Sequence, residues 1–270
     1  MMPTPGEAPL VRVAAAAYEI PTDAPEADGT LEWDRTALVV VEIEAGGKTG
    51  LGYTYADGSI VQLIQGKLGS VISGHSVFEI AAANKALWRS IRNLGRSGLV
   101  ATAISAVDAA LWDLKARLLG TSVAALVGCR RNTVPIYGSG GFTTYSDKQL
   151  RDQMSGWVER DGCRWVKMKI GSDPAHDPQR VVAARDAIGD AGLFVDANGA
   201  FSAKQALALA ERIAEYGVTW FEEPVSSDDL LGLSLMRERA PAGMDIAAGE
   251  YGYNLDDFRR LLALPSVDVL

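Results

Sequence analysis

The chain has 270 residues, 48% apolar and 22% charged, enough apolar material for large cores without disulfides. Twenty-six basic against 34 acidic residues leave a net charge of −8, which excludes the basic face that a nucleic-acid or anionic-membrane binder needs. Two cysteines, Cys129 and Cys163, exclude a disulfide framework and a cysteine-rich metal site, and no apolar run reaches the roughly 18–20 residues of a bilayer span.

The N-terminal MMPTPGEAPL shows no basic segment followed by an apolar core, so no secretory leader is read and the cytoplasm is the expected location. Residues 11–20 and 36–45 are β-rich and flank a polar segment containing Pro21, Pro25 and Gly29. Gly46-Gly47 turns the chain into GLGYTYA, so an antiparallel meander is expected. In residues 101–118, Ile104, Val107, Leu111, Leu114 and Leu118 recur at steps of three and four, the apolar stripe of a helix. The first part, 1–133, therefore reads as an α+β domain.

From residue 134 the pattern changes. Strands are predicted at 134–141, 165–170, 193–198, 219–224 and 245–250. Helices follow at 147–161, 177–189, 202–216, 227–239 and 255–264, with Ser202 and Asn254 as N-caps. VDVL (267–270) opens a sixth strand. Such βα repeats give parallel strands with crossover helices, in a closed barrel or a doubly wound sheet. GSGG (138–141) does not match the phosphate-loop pattern of the doubly wound sheet, and its glycines read as turn residues. A full barrel takes eight units and about 250 residues. Residues 134–270 therefore read as a TIM-like barrel stopping after about five units.

Buried parallel strands should be almost wholly apolar. Here four successive strands carry charges toward their C-terminal ends: Lys167 and Lys169, Asp196, Glu222 with Glu223, and Glu250. In a βα barrel that end is the rim where side chains converge. Alternation puts Lys167 and Lys169 on one face, likewise Asp196 and Asn198, and sends Glu222 and Glu223 to opposite sides. Converging carboxylates repel unless a cation joins them, and Mg²⁺ suits a set of a few carboxylates. Two ammonium groups on one face depress each other's pKa, and a lysine pushed toward neutrality is a general base. An ion beside it would stabilise the enolate left by α-proton removal.

VKMKIG, VDANGA, WFEEP and AAGE, in that order and each on its own strand, resemble the site strands of the enolase superfamily, in its mandelate racemase/muconate lactonizing enzyme group. AISAVDAALWDLKARLLG resembles the helix that closes that group's capping domain. The likeness runs from about residue 10 to residue 270. It implies a capping domain over 1–133 and a modified (β/α)7β barrel over 134–270. It implies Asp196, Glu222 and Glu250 as Mg²⁺ ligands, Lys169 as catalytic base and Lys167 as its pKa-lowering neighbour. Asn198 would line the pocket, and Glu223 would stand behind the ligands. Segments 18–33 and 53–58 resemble the loops that cover the site, which makes Tyr18, Trp33, Tyr53 and Tyr55 candidates for shaping substrate choice. The implied substrate is a small carboxylate. Dehydration of an acid sugar is expected ahead of racemisation, epimerisation or cycloisomerisation, in a homo-oligomer. The second acid or base would lie beyond Leu270. The alternatives are a catalytically incomplete fragment or scaffold, and, more weakly, a doubly wound oxidoreductase.

Other polar residues read as structural. His75 and His176 share no ligand spacing, Cys129 and Cys163 lack partner motifs, and Arg130-Arg131 reads as a solvated turn. Asp108 and Asp113 read as polar contacts of the 101–118 helix.

Overall fold

The computed structural model describes residues 8–270; MMPTPGE, part of the segment inspected for a leader, lies outside them. No described helix is long and apolar enough to cross a membrane. The chain forms two compact units. One holds the segment up to Pro21 with Arg35–Thr133, the other Thr22–Asp34 with Val134–Leu270. The boundary read at 133/134 thus misses one segment, Thr22–Asp34, which packs with the second unit.

The first sheet has the order β1 (Arg12–Ala27), β2 (Glu32–Ala45), β3 (Lys48–Tyr55), with β2 and β3 antiparallel. The polar stretch around Pro21 and Pro25 is strand, not loop. β1 is an edge strand, where proline's missing N–H leaves no ladder partner unsatisfied. Val39, Val41 and Ile43 alternate inward and are fully buried. Helices α1 (Ile80–Ser90) and α2 (Leu99–Leu119), with Ile60, Ile64, Leu68 and Ile72 of the helical stretch before them, complete this unit's core. Of the predicted stripe, Ile104, Val107, Leu111 and Leu114 are at most 1% exposed and Leu118 is 9% exposed. α2 lies so close to β3 that a Cβ on Gly52 would come within 2.0 Å of the Ala106 carbonyl, so only glycine fits there.

The second sheet is parallel, in the order β4 (Gly138–Gly140), β5 (Trp165–Lys169), β6 (Gly192–Asp196), β7 (Val218–Glu222), β8 (Asp245–Ala247). Helices α3 (Asp147–Glu159), α4 (Asp177–Ile188), α5 (Ala203–Ile213), α6 (Leu230–Arg239) and α7 (Leu255–Ala263) follow the strands in turn. The predicted caps are in place: Gln205 Oε1 accepts from the Ser202 N–H (3.1 Å), and Asn254 Oδ1 from the Asp256 N–H (2.8 Å). Three expected strands are shorter than read by more than one residue. Residues 134–137 lie outside the pairing with β5, and Val134 and Ile136 are exposed. β8 ends at Ala247, and 267–270 contributes one parallel bridge, Ala247 to Val269. Gly138 and Gly140 are strand rather than turn residues; the Trp157 ring occupies the space their side chains would need.

Pleating then sorts the second unit's side chains. Val166, Met168, Val195, Phe221 and Ile246 are fully buried and join Leu150, Met154, Val181, Ala210, Leu233 and Met236 of the helices in one core. The alternate residues face the other way, and these carry the charge.

Candidate active site

Register brings the charged residues into one row. Lys169 pairs with Asp196 and Asp196 with Glu222, each the last residue of its strand. Neighbouring strands lie about 4.8 Å apart, so side chains in one row can touch. Glu250 follows the end of β8 by a short irregular turn. One carboxylate oxygen each from Asp196, Glu222 and Glu250 lies within 4.8 Å of the other two. Among the described residues no other such acidic, histidine or cysteine group is found.

The lysines close the cluster. Lys167 Nζ donates to Glu222 Oε2 at 2.7 Å and lies 3.2 Å from Asp196 Oδ2. Lys169 Nζ donates to that same Asp196 Oδ2 at 2.6 Å and to Asn198 Oδ1 at 2.8 Å. The Asn198 amide in turn donates to Glu250 Oε1 at 2.9 Å, and its backbone N–H to Asp196 Oδ1 at 3.0 Å. Asn198 therefore bridges the base candidate and the outermost carboxylate, beyond the pocket-lining role expected for it. Two residues past their strand ends adopt left-handed backbone, Asn198 with φ 46° and Glu223 with φ 40°. Asparagine tolerates this region, whereas for a glutamate it costs about 1–2 kcal/mol. Such strain persists where surrounding structure fixes it, often at functional sites.

The lysine charges of the cluster are paired. Neither lysine stands as an unpaired ammonium; both turn to carboxylates. Burial pulls Lys167 down, but Asp196 and Glu222 outweigh it and hold the ammonium above its usual range. Partial loss of hydration, then Asp196, push Glu250 upward against the pull of Lys169. Glu223 is 1% exposed, and neither carboxyl oxygen has a hydrogen-bond partner. Burial, with Glu250, Asp196 and Glu222 adding to it, pushes Glu223 up to about 8. Four acidic groups thus crowd a space holding two ammonium groups, and hard oxygen donors this close fit a hard divalent ion such as Mg²⁺.

Two neighbours carried no signal in the sequence. Trp220 sits in the row below, and its indole N–H donates to Glu222 Oε2 at 3.2 Å, which fixes the face that Glu222 presents. Burial and the nearby Glu250, Glu223 and Asp28 carboxylates raise the Tyr251 hydroxyl, which hydrogen-bonds to Asn198. Of the candidates for substrate choice, Trp33 belongs to this unit. Its indole donates to Glu26 at 2.8 Å, and its ring packs edge-on against Phe142 at 5.6 Å. Tyr18, Tyr53 and Tyr55 belong to the first unit, exposed, with Tyr53 and Tyr55 edge to face; none is part of the carboxylate cluster. His176 approaches Asp147 to 3.7 Å at the surface, and Asp113 accepts from the Leu51 N–H and from Arg117, both as structural groups.

Residues 15–128 match the mandelate racemase/muconate lactonizing enzyme N-terminal domain, and 149–270 the enolase C-terminal domain-like family. The D-galactarolactone cycloisomerase of Agrobacterium fabrum is 33% identical over 257 residues, covering 92% of this chain. The chain spans 66% of that relative's length. The L-talarate/galactarate dehydratase of Salmonella typhimurium is 32% identical over 224 residues, 79% of this chain and 55% of its own length. A structure of that dehydratase with Mg and L-lyxarohydroxamate superposes with a TM-score of 0.88 at 26% identity, over 98% of this chain and 70% of the other. A mandelate racemase/muconate lactonizing enzyme-like protein from Rubrobacter xylanophilus superposes with a TM-score of 0.93 at 47% identity, over 97% of this chain and 73% of that one.

Proposed function

The chain belongs to the enolase superfamily, in its mandelate racemase/muconate lactonizing enzyme group, with an N-terminal capping domain and a TIM-type barrel domain, and from that premise we propose a magnesium-dependent enzyme that removes the α-proton of an acid-sugar carboxylate. The observation that carries this reading is the Lys169 ammonium, 2.6 Å from Asp196 in a cluster of three mutually close carboxylates.

Asp196, Glu222 and Glu250 would hold the ion. When bound, it would draw charge from the substrate carboxylate and lower the cost of breaking the adjacent C–H bond. The proton passes from the α-carbon to Lys169 Nζ in its neutral amine form. Asn198 then accepts a hydrogen bond from the ammonium so formed, as it does at 2.8 Å in the structure. Lys167 keeps Glu222 oriented and adds positive charge beside the base. A general base of this kind contributes about 10²–10⁴-fold.

For the fate of the substrate we place dehydration first: the α-proton leaves to Lys169, the β-carbon–oxygen bond breaks, and the hydroxyl departs as water on receiving a proton from a general acid. Its support is the dehydratase relative. Cycloisomerisation is the second reading, and the cycloisomerase relative, matched over more of this chain, favours it. The test is incubation of the full-length protein with Mg²⁺ and a panel of aldonates, aldarates and aldarolactones in D₂O, followed by proton NMR. The reading predicts Mg²⁺-dependent loss of the α-proton signal. In Lys169→Ala that loss should fall by about 10³-fold while Mg²⁺ binding persists. Exchange that survives in Lys169→Ala would remove the assigned base.

A further inference from the structure

The helix that follows the lysine strand carries a buried arginine with no carboxylate among its hydrogen-bond partners. Arg180, on α4, is 4% exposed. Its guanidinium donates instead to three backbone carbonyls: Nη1 to Lys169 at 3.0 Å, and Nη2 to Gly141 at 3.1 Å and Phe142 at 2.9 Å. The first of these belongs to the proposed base itself. The Gly141 carbonyl also accepts the Lys169 N–H at 3.1 Å, so one oxygen ties strand and guanidinium together. One turn earlier on the same helix Asp177, 1% exposed, accepts the Gly171 N–H at 2.9 Å. Asp177 and Arg180 thus bracket Lys169–Gly171 from behind the sheet.

Keeping this cation out of water costs several kcal/mol, which an apolar side chain of similar volume would avoid. A general need to tie off strand ends does not require the site, because the other end of α4 has its own tie. Arg185 donates to the carbonyls of Tyr216 (2.8 Å), Gly189 (2.7 Å), Ala191 (2.6 Å) and Gly217 (3.2 Å), at the N-terminal ends of β6 and β7. Two arginines five residues apart therefore do similar backbone chemistry at opposite ends of the sheet, and only one of them touches the lysine strand where it exits.

We infer that Arg180 is a positioning residue for the proposed reaction: by gripping the Lys169 carbonyl together with those of Gly141 and Phe142, it fixes the strand exit that aims the Lys169 amine at the carboxylate cluster. The inference rests on the reading of Lys169 as base. It does not make Arg180 a catalytic residue, since the guanidinium bonds to backbone.

The test compares Arg180→Met with Arg185→Met in the full-length protein. Arg180→Met should lower kcat for α-proton removal by about 10- to 100-fold, the scale of a misplacement of about 1 Å. Its KM and Mg²⁺ affinity should stay within about threefold of the parent. Arg185→Met should lower the melting temperature with kcat within about twofold. Equal loss of kcat in both variants, or Mg²⁺ affinity lost in proportion to kcat in Arg180→Met, would overturn the inference. If Arg180→Met does not fold, Arg180→Lys takes its place, because a compact ammonium cannot span carbonyls on two strands. It should show the same split at smaller size, and full activity would overturn the inference. A metal-free crystal structure of the Arg180 variant gives a readout independent of turnover. The Lys169 contacts, 2.6 Å to Asp196 and 2.8 Å to Asn198, should lengthen or break; unchanged contacts count against the inference. A parent protein that exchanges no α-proton would instead remove the reading beneath it.

Discussion

The two units bury very different things. The first packs a core in which Ser76 is the sole buried polar residue among those described, and its helix and strand faces follow their apolar periodicity closely. The second buries Lys167, Asp177, Arg180, Asp196, Glu222 and Glu223 beside a core just as apolar. Both solve the same packing problem. Only the second also carries desolvated charge, which lowers stability unless it is paired. The teaching is that chemistry and stability are separated here by sheet face: Val166 and Met168 hold the fold, and Lys167 and Lys169, between and beyond them, do not.

That contrast can be broken at several places. The largest expected effect is in the first core. Leu111→Ala should cost about 2–5 kcal/mol in chemical denaturation, as a fully buried leucine leaves a cavity, while Mg²⁺ affinity is unmoved. A matching loss of ion affinity would show that the two cores are not separable.

The next effect is on pH dependence. Glu223 titrates near 8 in the fold against an ordinary 4.5, so the folded state keeps a proton that the unfolded chain has released. With respect to this group, the stability of the metal-free protein is full below about pH 4.5 and declines as pH rises toward about 8. Thermal melts in chelator should show that decline, and Glu223→Gln should flatten it. An unchanged slope in the variant would place the titration elsewhere.

A smaller effect concerns the hairpin tip within the second unit. A Cβ on Gly29 would lie 2.3 Å from the Ala197 carbonyl and 2.7 Å from that of Ile170, both just past the ends of site strands. Gly29→Ala should therefore lift the tip at a cost of about 1–3 kcal/mol, seen as faster proteolysis between Thr22 and Asp34. Wild-type resistance in that variant would mean that the tip is held by other contacts, such as the Thr143 N–H to the Ala27 carbonyl at 2.8 Å.

What could be read in advance follows the same division. Lys167, Lys169, Asp196, Glu222 and Glu250 were legible because a charge is anomalous in a parallel strand and the anomaly repeated at one end of each strand. The apolar stripe of α2 was legible because its period is fixed by helix geometry. The strand extension through Pro21 and Pro25 was hidden, since proline and polar residues look like loop unless the strand is known to be an edge. Arg180 and Asp177 were hidden because an aspartate in the first turn of a helix and an arginine one turn later look like ordinary solvated helix text; only the fold shows that they face backbone. The burial of Glu223 was invisible for a related reason. Alternation assigns it to the side away from Glu222, but its positive φ breaks the alternation and turns the carboxyl into the acidic cluster.

The central claim is that three carboxylates converge on one divalent ion beside an amine. Calorimetric titration of Mg²⁺ into the full-length protein tests it most directly, with Glu250→Gln as the variant, because Glu250 is the exposed one of the three carboxylates and its change disturbs the fold least. The account predicts one Mg²⁺ per chain in the parent and an affinity lower by about 100-fold in Glu250→Gln. Unaltered Mg²⁺ binding in that variant would contradict it.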